Sequence, residues 1–74
     1  MHRVDPQADF MRAYDEYADA IFRHCYFRIY DRERARELTQ ETFARTWRYL
    51  ADGGQIDHLR AFLYRTLQNC IVDT

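Results

Sequence analysis

Between Asp31 and Leu50 the apolar and small positions Ala35, Leu38, Thr39, Thr42, Phe43, Thr46 and Leu50 recur at steps of three and four. At about 100° per residue such steps gather on one side of a helix, and that side is expected to face a core. The opposite side carries Glu33, Glu37, Gln40, Glu41, Ala44 and Arg48, an acidic, amide-bearing strip, with Trp47 on the border. Asp31 is placed to cap the free amides of the first turn. Glu33 suits the positive end of the helix dipole, and Arg45 and Arg48 the negative end. Gly53 and Gly54 then stop the helix, since glycine enters left-handed conformations without steric cost.

A first helix is expected to open at Asp5-Pro6, with aspartate as cap and proline at the first helical position, and to run to about Tyr30. Phe10, Tyr14, Tyr17, Ala18, Ile21, Phe22, Cys25 and Ile29 form its apolar stripe, and Asp9, Asp15, Glu16 and Asp19 make its first half acidic. A break near His24 would divide it in two. After the turn-rich segment ADGGQIDH, Asp57 is the expected cap of a last helix running to the C-terminus. Leu59, Leu63, Thr66, Leu67 and Cys70 share one face of it, with Phe62 and Ile71 at its flanks. Ala61, Arg65, Gln68, Asn69 and Val72 fall on the far side, and Arg60 and Tyr64 on its shoulder. Without a strand pattern, repeat or linker, the expected fold is a single all-α domain over residues 1–74, of three helices, or four if the first one breaks.

Seventy-four residues support only a modest core. With 47% hydrophobic and 16% aromatic residues and few Gly or Pro, the chain is globular and not disordered. It holds no run of about 18 apolar residues and no signal-peptide core at its start, so a cytoplasmic location without a membrane partner is expected. The net charge of −1 does not advertise a polyanion partner. Its distribution is uneven, with residues 1–20 holding two Arg and five acids, and residues 21–50 seven Arg and four acids. Cys25 and Cys70 sit in apolar patterns and read as buried structural thiols. His2, His24 and His58 have no zinc-ligand spacing, so no metal or other cofactor is expected.

Taken alone, Glu37, Gln40 and Glu41 read as a solvated face supported by pairs such as Glu41 with Arg45. Two longer motifs change that weighting. The run ELTQETFARTWRYL, followed after a glycine-bearing loop by LRAFLYRTLQN and Asp73, resembles region 2 of bacterial sigma factors, in the style of the extracytoplasmic-function group. There an acid-Leu-x-Gln-Glu-x-Phe helix precedes a Trp-Leu-Tyr-Arg-x-x-x-Asn helix. The order and spacing agree from near Phe10 to Asp73. The chain departs in having Glu37 for the commoner aspartate, Phe62 for the usual tryptophan, and an arginine-rich lead-in, Asp31 to Arg36.

The resemblance implies a transcription initiation domain that binds the clamp coiled coil on the largest subunit of core RNA polymerase, and recognises and melts the promoter minus-ten element. By motif position, Glu37, Gln40 and Glu41 would meet clamp arginines in charge-assisted hydrogen bonds, with Ala44 and Trp47 beside them. The alternative for Trp47, a lid on the domain's own core, is the preferred reading. Arg60, Phe62, Tyr64, Arg65, Gln68 and Asn69, beside the loop Asp52 to His58, would bind the extruded non-template strand by stacking and hydrogen bonding. The plain alternative is a solvated helix face with Asn69 a surface amide, and Phe62 partly buried.

The family further implies an anti-sigma factor as partner, and a second helical domain, reading the minus-thirty-five element, that this chain does not contain. A different class of function is a sigma-like decoy that sequesters an anti-sigma factor without DNA, favoured by the acidic first helix. No nucleophile, base, metal or phosphate-cradling constellation supports an enzyme.

Overall fold

A computed structural model of the chain describes residues 6–73. They form α1 (Pro6–Ile29), α2 (Arg32–Ala51) and α3 (Leu59–Val72), an all-α arrangement. Helix α1 is continuous through His24, so the four-helix alternative is set aside: Ile21 and Cys25, fully buried on either side of His24, hold one unbroken stripe against the core. Asp5 and the side chain of Asp9 lie outside the described residues.

The pairing of helices follows from contacts between their faces. Phe10 meets Trp47 with ring centroids 5.3 Å apart and Tyr14 meets Phe43 at 4.8 Å, so α1 and α2 run antiparallel. Tyr49 meets Phe62 at 5.1 Å and Arg45 reaches Asp73, so α2 and α3 are antiparallel too. His24 with Tyr64 and Arg28 with Gln68 then set α1 and α3 side by side in parallel.

Ile21, Cys25, Ala35, Leu38, Phe43, Leu63, Leu67 and Cys70 form the core. Complete burial of a side chain such as Ile21, Leu63 or Leu67 contributes about 1.5 to 3 kcal/mol. Thr39, Thr42 and Thr46 are buried in the same face of α2. Each hydroxyl donates to the carbonyl four residues earlier, at 2.8, 2.8 and 2.9 Å, which removes the cost of an unsatisfied buried polar group. In α1 the stripe is rotated slightly from expectation: Ala13 is buried, while Tyr14 remains partly exposed and covers Phe43 with its ring.

Local chemistry explains the helix ends. Tyr30, in the left-handed region at φ 56°, closes α1 through its amide to Tyr26 O at 2.7 Å. Asp31, extended, caps α2 by accepting from Arg34 N at 3.1 Å. At the far end Gly53 adopts φ 93°, and the amides of Gly53 and Gly54 donate to Leu50 O and Tyr49 O. Asp57 is not the cap of α3. That helix begins at Leu59, so the capping position falls to His58, whose side chain makes no cap bond.

Candidate interaction surfaces

On the outer side of α2, Glu33, Glu37, Gln40 and Arg48 are exposed, and Glu41 and Ala44 are half-buried. Two acids of this strip, Glu37 and Glu41, are already engaged by neighbouring arginines. Arg34 Nη1 donates to Glu37 Oε1 at 3.0 Å. Arg45 Nε and Arg48 Nη2 both donate to Glu41 Oε2, at 2.9 and 3.3 Å, and Arg45 Nη1 continues to Asp73 Oδ2 at 3.3 Å. The hydrogen bond from Arg45, seconded by that from Arg48, holds the Glu41 carboxyl below the ordinary glutamate pKa, and the same bond raises that of Arg45. Both arginines use Oε2, leaving Oε1 open to an outside donor. Gln40 has no side-chain partner among the described residues and presents both donor and acceptor to solvent.

Trp47 sits at the edge of this strip, half-buried, its ring tilted over Phe10. It therefore lies over the domain's own core, continuing the aromatic row that joins Phe10 to Phe43. Beside it, Phe10, Ala13, Leu50, Ile56 and Leu59 line a small apolar hollow between α1, the end of α2 and the start of α3.

Helix α3 separates two open depressions that share His58 and Ala61. One is lined by Tyr49, Gln55, Ile56, Asp57, His58, Ala61, Phe62 and Arg65. Its wall is aromatic, because Tyr49 and the half-buried Phe62 pack 5.1 Å apart, and Arg65 is exposed at its rim. The other is lined by His24, His58, Arg60, Ala61 and Tyr64. There the Arg60 guanidinium carbon lies 5.5 Å from the Tyr64 ring centroid, and His24 meets the same ring edge-on at 5.1 Å. A cation over a ring, next to two imidazoles, is suited to a planar or anionic group.

The six residues expected on the strand-binding side thus divide. Phe62 and Arg65 belong to one depression, Arg60 and Tyr64 to the other, and Gln68 and Asn69 lie exposed further along α3. Gln68 Oε1 accepts from Arg28 Nη1 at 2.7 Å. Sequence reasoning missed Tyr49, Gln55 and His24 as lining residues. Tyr49 and Gln55 could have been found, since Gln55 lies in the loop and Tyr49 just before it. His24 could not, because only the parallel packing of α1 on α3 brings it there.

Three helices packed around one core, with a polar outer face on α2 and depressions on both sides of α3, define an all-α domain of the helical-bundle class. The model of the Sigma-70 region 2 family matches residues 13–74, and the chain belongs to that family. A curated relative is the ECF RNA polymerase sigma factor BldN of Streptomyces coelicolor, 44% identical over 39 residues. The matched stretch is 53% of this chain and 15% of that protein. No solved structure matches the chain. Among the described residues no helix is long and apolar enough to cross a membrane.

Proposed function

We propose that this domain acts in transcription initiation, docking on core RNA polymerase through the outer strip of α2 and binding the unstacked minus-ten strand through α3. The observation that carries the reading is that one small core supports both elements of the family pattern. Glu37, Gln40 and Glu41 lie on the outer side of α2, and Tyr49, Phe62 and Arg65 meet in a depression beside the loop.

On the α2 strip, Gln40 and the open oxygen of Glu41 are the groups available to arginines of a polymerase coiled coil, and Glu37 can exchange its exposed pairing with Arg34 for one across the interface. Exposed pairs of this kind are worth about 0 to 1 kcal/mol, so exchanging them costs little. At α3 the depression walled by Tyr49 and Phe62 accepts an extruded base against aromatic surface, with Arg65 placed for the phosphate. Base-on-aromatic contact of about 1 to 3 kcal/mol per base offsets part of the cost of unstacking. Arg60, Tyr64, Gln68 and Asn69 extend the track along the helix.

A second reading, a module that binds an anti-sigma factor without touching DNA, is favoured by the exposed acids Asp15, Glu16 and Asp19 on α1. A pull-down of bacterial core polymerase, followed by fluorescence binding of the complex to a labelled non-template minus-ten oligonucleotide, separates them. Sequence-dependent capture of the oligonucleotide supports initiation. Retention of protein without DNA capture supports the second reading.

A further inference from the structure

The depressions beside α3 do not account for the opposite end of the bundle, where α1 turns into α2. Residues 22–36 hold five arginines against two carboxylates in a chain whose net charge is −1. Of the two acids, Asp31 is committed to the α2 cap, and Glu33 is exposed and forms no ion pair with an arginine among the described residues. Of the arginines, Arg23 pairs with Asp19 and Arg34 with Glu37. Arg28 bonds only a neutral amide, that of Gln68, and keeps its charge uncompensated. Arg32 and Arg36 are exposed, one turn apart on α2, and have no carboxylate partner among the described residues. In the same stretch of chain Phe27 and Tyr30 are 64% and 74% exposed. Tyr30 holds the left-handed backbone of the elbow, at φ 56°.

We propose that this elbow is a second nucleic-acid contact, one that grips the sugar-phosphate backbone of duplex DNA irrespective of sequence. Charge complementarity selects a polyanion: three guanidiniums without an acid partner, Arg28, Arg32 and Arg36, fall within nine residues spanning the α1–α2 elbow of a chain whose remainder is net acidic. The geometry of the rings selects duplex over single strand. Phe27 and Tyr30 both meet Tyr26 edge-on, at interplanar angles of 67° and 62°. They form a packed knob and not a flat platform on which successive bases could stack. An exposed aromatic knob with arginines before and after it in the chain suits sugars, with the guanidiniums available to flanking phosphates. The bond from Arg28 to Gln68 joins the elbow to the far half of α3. Duplex held here would therefore adjoin the strand path proposed along α3, although the contact does not depend on that path.

The test is fluorescence anisotropy of the chain with a labelled duplex of arbitrary sequence, titrated from low salt to 200 mM, beside a single-stranded minus-ten oligonucleotide and core polymerase. Arg32→Ala with Arg36→Ala is expected to weaken duplex binding about tenfold. It should also lower the slope of log affinity against log salt by about 2, since each phosphate contact contributes about 0.9. Single-strand and polymerase binding should persist, and the double lysine variant should restore the slope. The proposal is overturned by any of three results: no duplex binding by the unaltered chain at low salt, an unchanged slope in the alanine variant, or loss of polymerase binding in its place. Failure of the α3 assignment alone would show as absent single-strand binding with duplex binding intact.

Discussion

Arg45 holds the carboxylate of Glu41 by a 2.9 Å bond from Nε, while its Nη1 reaches Asp73 at the end of α3. The outer strip of α2 is thereby linked to the helix behind it. Glu41 has its pKa lowered on folding, first by the Arg45 hydrogen bond. A carboxylate whose pKa falls on folding contributes stability above its unfolded pKa and loses it as pH drops through the folded one. Glu41→Gln is therefore expected to lower the melting temperature slightly at pH 7. The difference from the unaltered chain should shrink below about pH 4.3, the ordinary glutamate value, as thermal melts across pH 7 to 3 can check.

Gln40 offers a cleaner probe of the polymerase-facing strip than Glu41, because substituting it disturbs no bond within the domain. Gln40→Arg places a like charge before the arginines of the proposed partner. It is expected to weaken retention on core polymerase at least tenfold with the far-ultraviolet circular dichroism unchanged. Full retention would remove the strip from the interface. Asn69→Ala, on α3, should instead reduce single-strand capture more than polymerase binding, and equal losses would place Asn69 outside the strand path.

Leu38 occupies the motif position between Glu37 and Gln40, yet it is 3% exposed and belongs to the core. Leu38→Ala is expected to cost about 2 to 5 kcal/mol in urea unfolding. A loss well under 1 kcal/mol would show that the site collapses around the smaller side chain.

The periodicity of α2 was legible nearly throughout: Ala35, Leu38, Thr39, Thr42, Phe43 and Thr46 are all buried and Asp31 is the cap, while Leu50, at the end of the helix, is half-buried. Three threonines could be placed in a core because a helix supplies each hydroxyl with a carbonyl one turn back. What escaped the sequence depended on neighbours distant along the chain. Ala13 and not Tyr14 is buried, beside Leu50, Ile56 and Leu59 from α2, the loop and α3, while the Tyr14 ring lies over Phe43 from the edge. Asp57 looked like a cap, but loop length decides where a helix starts, and the loop runs one residue further. His24 reaches Tyr64 only through the packing of α1 beside α3. At the proposed sites, the motifs singled out α2 and α3 positions, while local pairing with Arg34, Arg45 and Arg48 was foreseen only for Glu41 and Arg45.

Thr42 tests whether those buried hydroxyls stabilise the fold or are merely tolerated. Its Oγ1 donates to Leu38 O at 2.8 Å and lies 3.8 Å from Cys70 Sγ. Thr42→Val keeps the shape and removes the polar atom, and Leu38 O retains its helical amide partner. The variant is expected to lie within about 1 kcal/mol of the unaltered chain, whereas Thr42→Ser, which removes a buried methyl, should cost about 1 kcal/mol. A loss above 2 kcal/mol in the valine variant would show that the contact with Cys70 matters more than its length suggests.

Gly54 connects the loop to the proposed base depression. A Cβ built there would overlap the ring of Tyr49, the residue that packs on Phe62. The end of a tyrosine can swing aside, so Gly54→Ala is expected to fold, with a loss of about 1 kcal/mol for the broken aromatic pair. The functional effect should be larger than the structural one. With Tyr49 displaced, the aromatic wall opens, and capture of the minus-ten oligonucleotide should fall several-fold while polymerase retention is unchanged, since the α2 strip lies on another face. Gly53→Ala is the companion control. Its position at φ 93° penalises any side chain through the backbone and leaves open space around the added methyl, so it should lower stability without selectively reducing capture. Equal capture by the Gly54 variant and the unaltered chain would exclude Tyr49 from the strand-binding wall.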